Sequence, residues 1–210
     1  MPSGRHELTR RFILENQRER ILDAVALTVA ERGYEKLSIP AIAKRASVSH
    51  QTFYEMFPTK QDALLATLRL GVSRTLQVSA QAYQRQGGDW PAAVAAGLHT
   101  LLVHLAAEPQ HARLGFVEAL AGGPAALRVR EQSLQAFAAY IDPGFELAPA
   151  VPRVTGEAIA GGIWQLIHLQ VARGCTEELP LLAPMLVYAT LTPFLGAREA
   201  ARVARRKPPR

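Results

Sequence analysis

The stretch SIPAIAKRASVSHQTFYEMF, residues 38–57, decides the fold. Ser38 is a natural N-cap, because its hydroxyl can accept a free N–H of the first helical turn. Pro40 follows where a helix loses nothing by lacking an N–H. Ile39, Ile42, Ala43 and Ala46 then stand at i, i+3, i+4 and i+7, one apolar stripe. Ser47–Ser49 make a tight link, Ser49 caps a second helix, and Pro58 ends it. That second helix is too short and polar to bury itself. Two short helices across such a turn are the helix-turn-helix pattern. Ile39, Ile42, Ala43, Val48, Phe53 and Phe57 can pack against a preceding helix, which leaves His50, Gln51, Thr52 and Tyr54 outward. A glutamine can read adenine, a threonine can meet a thymine methyl, and a tyrosine can bond a phosphate. The free N–H groups at the helix start suit a phosphate as well.

Outward from this stretch, the chain reads as all-α. Residues 1–15 are polar and basic and are expected to form a mobile arm. Ile21, Val25 and Val29 recur every fourth residue, which predicts a helix over 16–32, stopped by Gly33. Thr59 and Asp62 form a capping box that opens a helix running to about residue 85. After the QGGD break, helices are expected over 90–107, 109–121, 124–141, 154–173 and 177–196, about nine in all. No period-2 alternation argues for a strand. The predicted organisation is a three-helix domain at 1–58, a larger helical domain at 59–197 and a basic, disordered tail at 198–210.

The formal charge of +6 says little by itself about nucleic acid. Residues 1–58 carry nine Lys/Arg against seven Asp/Glu, and residues 59–197 carry nine against ten. Residues 198–210 carry six against one, so most of the excess lies in the tail. The single cysteine, Cys175, excludes an internal disulfide and fits a reducing cytoplasm. No run approaches about 18 unbroken apolar residues, so no membrane partner is expected. There is no HExxH, GxSxG, P-loop or paired-cysteine pattern. Neither an enzyme, a cofactor nor a metal site is therefore expected.

The run ILDAVALTVAERGYEKLSIPAIAKRASVSHQTFYEMFPTKQDALL, residues 21–65, resembles the N-terminal domain of the TetR family of transcriptional regulators. Ile42-Ala43, Ala46, Val48-Ser49, Thr52, Tyr54, Phe57, Lys60 and Leu64 carry the likeness. The resemblance implies Ser38, Tyr54 and Lys60 on phosphates, and Ser49, His50, Gln51 and Thr52 at base edges. Ser47 replaces the family's turn glycine and must take the same backbone shape with some strain, or form a different turn. The resemblance also implies a homodimer on a pseudo-palindromic operator in double-stranded DNA, and repression relieved by a small-molecule effector. An activator, or a regulator without an effector, remains the alternative reading.

The last two predicted helices are apolar with small residues at near-helical spacing, and the second is apolar nearly all round, which calls for a partner surface. Gly156, Ala160, Ile163 and Ile167 on one, with Leu182, Met185, Ala189 and Thr192 on the other, are the expected dimer face. Candidate walls of an effector cavity are His99, His104, Phe116, Phe137, Tyr140, Trp164 and His168. Such walls suit a hydrophobic ligand, and sparse charge in the middle helices argues against a highly anionic one.

Overall fold

The computed structural model describes residues 3–206, apart from the side chains of residues 3–11 and 120. Its order is α1 (Ser3–Arg32), α2 (Ile39–Ala46), α3 (His50–Met56), α4 (Lys60–Gln84), α5 (Trp90–Ala107) and α6 (Pro109–Phe116). Then follow α7 (Gly123–Ala138), α8 (Asp142–Leu147), α9 (Val154–Ala172), α10 (Ala183–Leu195) and α11 (Ala197–Ala204). Short 3-10 turns lie at Tyr34–Lys36, Glu118–Gly122, Ala139–Ile141 and Thr176–Leu182. No strand occurs among the described residues.

Two expectations need correction at the chain ends. Residues 3–15 are not an arm but the first turns of α1. Their Arg, Glu and Leu content favours helix. Phe12, Ile13 and Leu14 accordingly stand exposed on this extension. The segment after residue 197 is also helical as far as Ala204, where Ala200 and Val203 are buried. A stripe of two small apolar residues was enough to dock it, although arginines dominate its composition. Residues 207–210, the rest of the predicted tail, lie outside the described residues.

Three packed clusters hold the molecule together. The first joins Ile21, Val25 and Val29 of α1 to Ile42, Phe53 and Phe57, and continues into Leu64, Leu114 and Ala126. The core of the helix-turn-helix therefore runs past Pro58 into α4, α6 and α7. Phe53 is fully buried within it, and truncation to alanine would cost about 3–5 kcal/mol. The second cluster packs Trp90 and Val94 of α5 against Phe145, Leu191, Phe194 and Val203. Here α8 comes so close that a Cβ on Gly144 would stand 2.5 Å from the Trp90 ring. The third joins Leu101, Leu102, Ala112, Ile167, Leu179 and Leu186. Two segments, Trp90–Ala107 and Thr176–Leu195, are long and apolar enough to cross a membrane. Their apolar faces contribute to the second and third clusters, as core helices do.

Candidate nucleic-acid interface and cavity

The reading head is built by caps. Ser38 accepts the Ala41 N–H at 3.4 Å, and Ser49 accepts that of Thr52 at 3.0 Å. Thr59 accepts the Asp62 N–H at 3.1 Å while its hydroxyl donates to the Asp62 carboxylate at 2.7 Å. Ser47 takes φ 52 and ψ 48, the left-handed region, and is the sole non-glycine with positive φ among the described residues. This is the strain expected where the glycine is missing.

The predicted DNA-contacting residues come together on one outward face. Ser49, His50, Gln51 and Tyr54 are exposed, with Tyr54 set edge-on to buried Phe53. Thr52 is half-buried, its hydroxyl 2.9 Å from that of Ser49. Gln51 donates to Glu55 one turn later at 3.1 Å, which aims its amide along the helix surface. Ser38 is exposed at the start of α2. Lys60 is drawn further inward than a free phosphate contact would be. Its Nζ donates to the Leu37 carbonyl at 2.9 Å and stands 5.2 Å from the Tyr34 ring centroid. That places the ammonium beside the α2 start, with two N–H groups left over.

Three structural contacts of this head were not read from sequence. Arg20 of α1 donates through Nε to the Ala46 carbonyl at 2.8 Å, and through Nη2 to the carbonyls of Ala46 and Ser47. It clamps the very turn that Ser47 strains. Arg45 forms a two-pronged pair with Glu31 at 2.8 and 2.6 Å, tying α2 to α1. Mutual hydrogen bonding holds the Glu31 carboxyl below its ordinary range. Arg18 lies 5.5 Å from the Phe57 ring centroid. Partners this far apart in sequence leave no periodic signal.

A cavity of about 140 Å³ lies between α4, α5, α6, α7 and α9. Phe116, Phe137, Tyr140, Trp164 and His104 line it. His99 does not, and neither does His168. His168 sits behind the wall: it stacks on Trp164 at 5.2 Å and its Nδ1 is 2.7 Å from the Phe116 carbonyl. His99 is partly buried on another face of α5 than His104, as their five-residue separation dictates. At one end Tyr83 and Tyr140 stack at 4.9 Å, and burial raises both phenol pKa values. Sequence reasoning missed Arg130, which lies over Trp164 in the wall with Cζ 4.0 Å from the ring centroid.

The expected dimer face needs a second correction. Gly156, Ala160 and Ile167 are buried, and Ile163 is half-buried in the cavity wall with Ala160 and Ile167. A Cβ on Gly156 would meet the Phe145 ring at 3.4 Å. These residues form the chain's own core, because the most apolar stripe of an all-apolar helix faces inward. The outward stripe of α9 is Val154, Ala158, Gly162, Leu166 and Leu169. On α10, Met185 and Ala189 are exposed and Thr192 is half-buried, while Leu182, at the end of the preceding 3-10 turn, packs against the third cluster.

Two routes link the cavity to the reading head. Helix α4 begins beside the head at Lys60 and lines the cavity from Thr67 to Tyr83. Phe116 lines it too, and two residues later Glu118 accepts the Tyr34 backbone N–H at the end of α1. Gln61 adds a bond to the Gly122 carbonyl at 3.3 Å.

Residues 21–67 match the family described as bacterial regulatory proteins, tetR family. The HTH-type transcriptional regulator EthR of Mycolicibacterium smegmatis is 26% identical over 182 residues, 84% of this chain and 83% of EthR. The fatty acid degradation regulator FadR from Bacillus halodurans superposes with a TM-score of 0.74 at 20% identity, covering 87% of this chain and 96% of that one. FadR from Bacillus subtilis, solved with stearoyl-CoA, gives 0.71 at 17% identity over 85% and 98%. Residues 21–67 are thus matched in sequence to the tetR family, and most of the chain's length is matched in fold to solved regulators.

Proposed function

We propose that this chain, a DNA-binding transcriptional regulator, represses from a pseudo-palindromic operator as a homodimer and is released by a small ligand bound in the cavity. One observation carries the reading. The outward polar face of α3 and the cavity are joined by a single rigid helix, α4, so a change at one end moves the other. In this reading Gln51 and His50 meet base edges with Ser49 and Thr52, while Tyr54, Ser38 and Lys60 hold phosphates. Residues 1–58 then form the reading unit and residues 59–197 the sensing and pairing unit.

One short helix reads too few base pairs for a useful specificity ratio. Two copies about a two-fold axis reach successive major grooves about 34–36 Å apart. The outward stripes of α9 and α10 supply the pairing surface, around Leu166, Leu169, Met185 and Ala189. The stearoyl-CoA complex of one structural relative is in keeping with a small-molecule ligand for this chain. Ligand binding tilts α4, and with it the separation of the two heads.

The test is selection of bound DNA from a random pool by the purified protein. The expected outcome is a pseudo-palindrome with half-sites about one helical turn apart. Enrichment of single, unpaired half-sites would rule out the dimeric reading. Operator binding indifferent to every compound that stabilises the protein would leave a regulator without an effector.

A further inference from the structure

The wall of the apolar cavity carries two arginines, Arg74 and Arg130, neither in an ion pair among the described residues. Arg130 lines the wall, and its Nε is buried without a hydrogen-bond partner. Among the described residues its side chain makes no ion pair, and its sole recorded contact of this kind is with the Trp164 face. The one carboxylate in the wall, Glu108, is already engaged, 3.3 Å from His111 Nδ1 and 3.2 Å from Gln110 Nε2. Arg130 is partly buried, and a buried N–H donor left without a partner is costly until an acceptor meets it. A second wall group points the same way: Thr190 is 1% exposed and its Oγ1 has no partner. The space is compact. At about 140 Å³ it compares with the roughly 150 Å³ engineered cavity that takes one benzene.

We infer that the cavity takes a small monocarboxylic acid with an apolar body of about one phenyl ring's bulk, its carboxylate paired with Arg130. The inference rests on the reading of this cavity as the effector site and names the effector's chemistry. A planar guanidinium backed by an indole presents its fork edge-on, the geometry that a carboxylate fills with two hydrogen bonds. Phe116 and Phe137 then face the apolar body, and Thr190 offers one further hydrogen bond. This reverses the expectation that negative charge is unwelcome, since the sparse charge of this apolar room includes an unpaired arginine beside Trp164. A long acyl chain needs more space than these walls enclose.

The test compares benzoate, phenylacetate and hexanoate with methyl benzoate and benzyl alcohol, using tryptophan emission and thermal shift on the full chain. The acids are expected to bind at least about tenfold tighter than the neutral ester, the scale of a charge-assisted bond. Arg130→Met keeps bulk over Trp164 and is expected to abolish that preference while leaving ester binding within about twofold. Arg130→Lys keeps the charge and retains part of the preference, which guards against a variant that misfolds. Equal binding of acid and ester, an unchanged preference in Arg130→Met, or no binding by any acid would each overturn the inference. Operator release by a neutral compound, indifferent to Arg130, would do so while leaving the effector reading intact.

Discussion

The carboxylate of Glu118 accepts the backbone N–H of Tyr34 at 3.1 Å, across 84 positions of sequence. Arg113 braces the same carboxylate at 3.5 Å. This contact fastens the segment after the cavity-lining Phe116 to the last turn before the reading head. Glu118→Ala strands a partly buried N–H and should cost about 1–3 kcal/mol, read as a lowered midpoint in chemical denaturation. If this strap transmits the ligand signal, the variant should also need more ligand for operator release at unchanged ligand affinity.

Ser47 holds a left-handed backbone that costs a side-chain-bearing residue about 1–2 kcal/mol. Ser47→Gly should therefore stabilise the protein, by up to about 1 kcal/mol once the freer unfolded chain is counted. Removing the clamp instead, with Arg20→Met, should destabilise. The two together test whether Arg20 exists to hold that turn: the loss from Arg20→Met should shrink in the Ser47→Gly background.

Tyr54 and Lys60 separate two kinds of phosphate contact. Tyr54→Phe removes a neutral hydrogen bond, so it should weaken binding to all sequences without changing the salt slope. Lys60→Met removes one charge and should reduce that slope by about 1. Filter or anisotropy titrations over a salt series decide it; an unchanged slope in Lys60→Met would leave this lysine to its bond with Leu37 alone.

Pairing through the outward stripes of α9 and α10 predicts that Leu166→Glu with Met185→Glu yields a folded monomer. Both side chains are exposed in the single chain, so the monomer's stability should hardly change. Light scattering reads the mass. A dimer that survives both charges would place the interface elsewhere.

Burial pushes the His104 imidazole below its ordinary value, against the pull of Glu108 and with the help of His111 and Arg74. The folded state thus refuses a proton that the unfolded state accepts. Stability is full above about pH 6.5 and falls as the pH drops from there toward the lowered folded value. His104→Gln should flatten that part of the stability–pH curve, as followed by denaturation between pH 7 and 5.

Much of the head was legible because its signals are local. Ser38, Ser49 and Thr59 announce their own caps within three residues, and the Ile39–Ala46 stripe needs one period. The failures share one physical cause. Sequence periodicity finds the face that is most apolar, and in α9 that face belongs to the chain's own core, so Gly156 and Ile167 were read as the partner's. Composition misled at both ends for the converse reason, since a helix needs only a narrow apolar stripe, or none, beneath its charges. Arg20, Arg130 and Glu118 act across folds in space, where a single sequence carries no trace of the pairing.

The docking of α11 decides where the molecule's positive charge is spent. Ala200 and Val203 seat this helix on the Trp90 cluster, near the end of α4 opposite Lys60, roughly 37 Å along a 25-residue helix. Arg202 is occupied by Glu199, which leaves Arg198 as the helix's other arginine, exposed at that remote end. The protein is therefore electrically polarised against its own task. If α3 meets DNA as proposed, the basic helix α11 lies at the far end of α4 from it, and recognition falls to shape and hydrogen bonding at the reading head, with little help from bulk attraction.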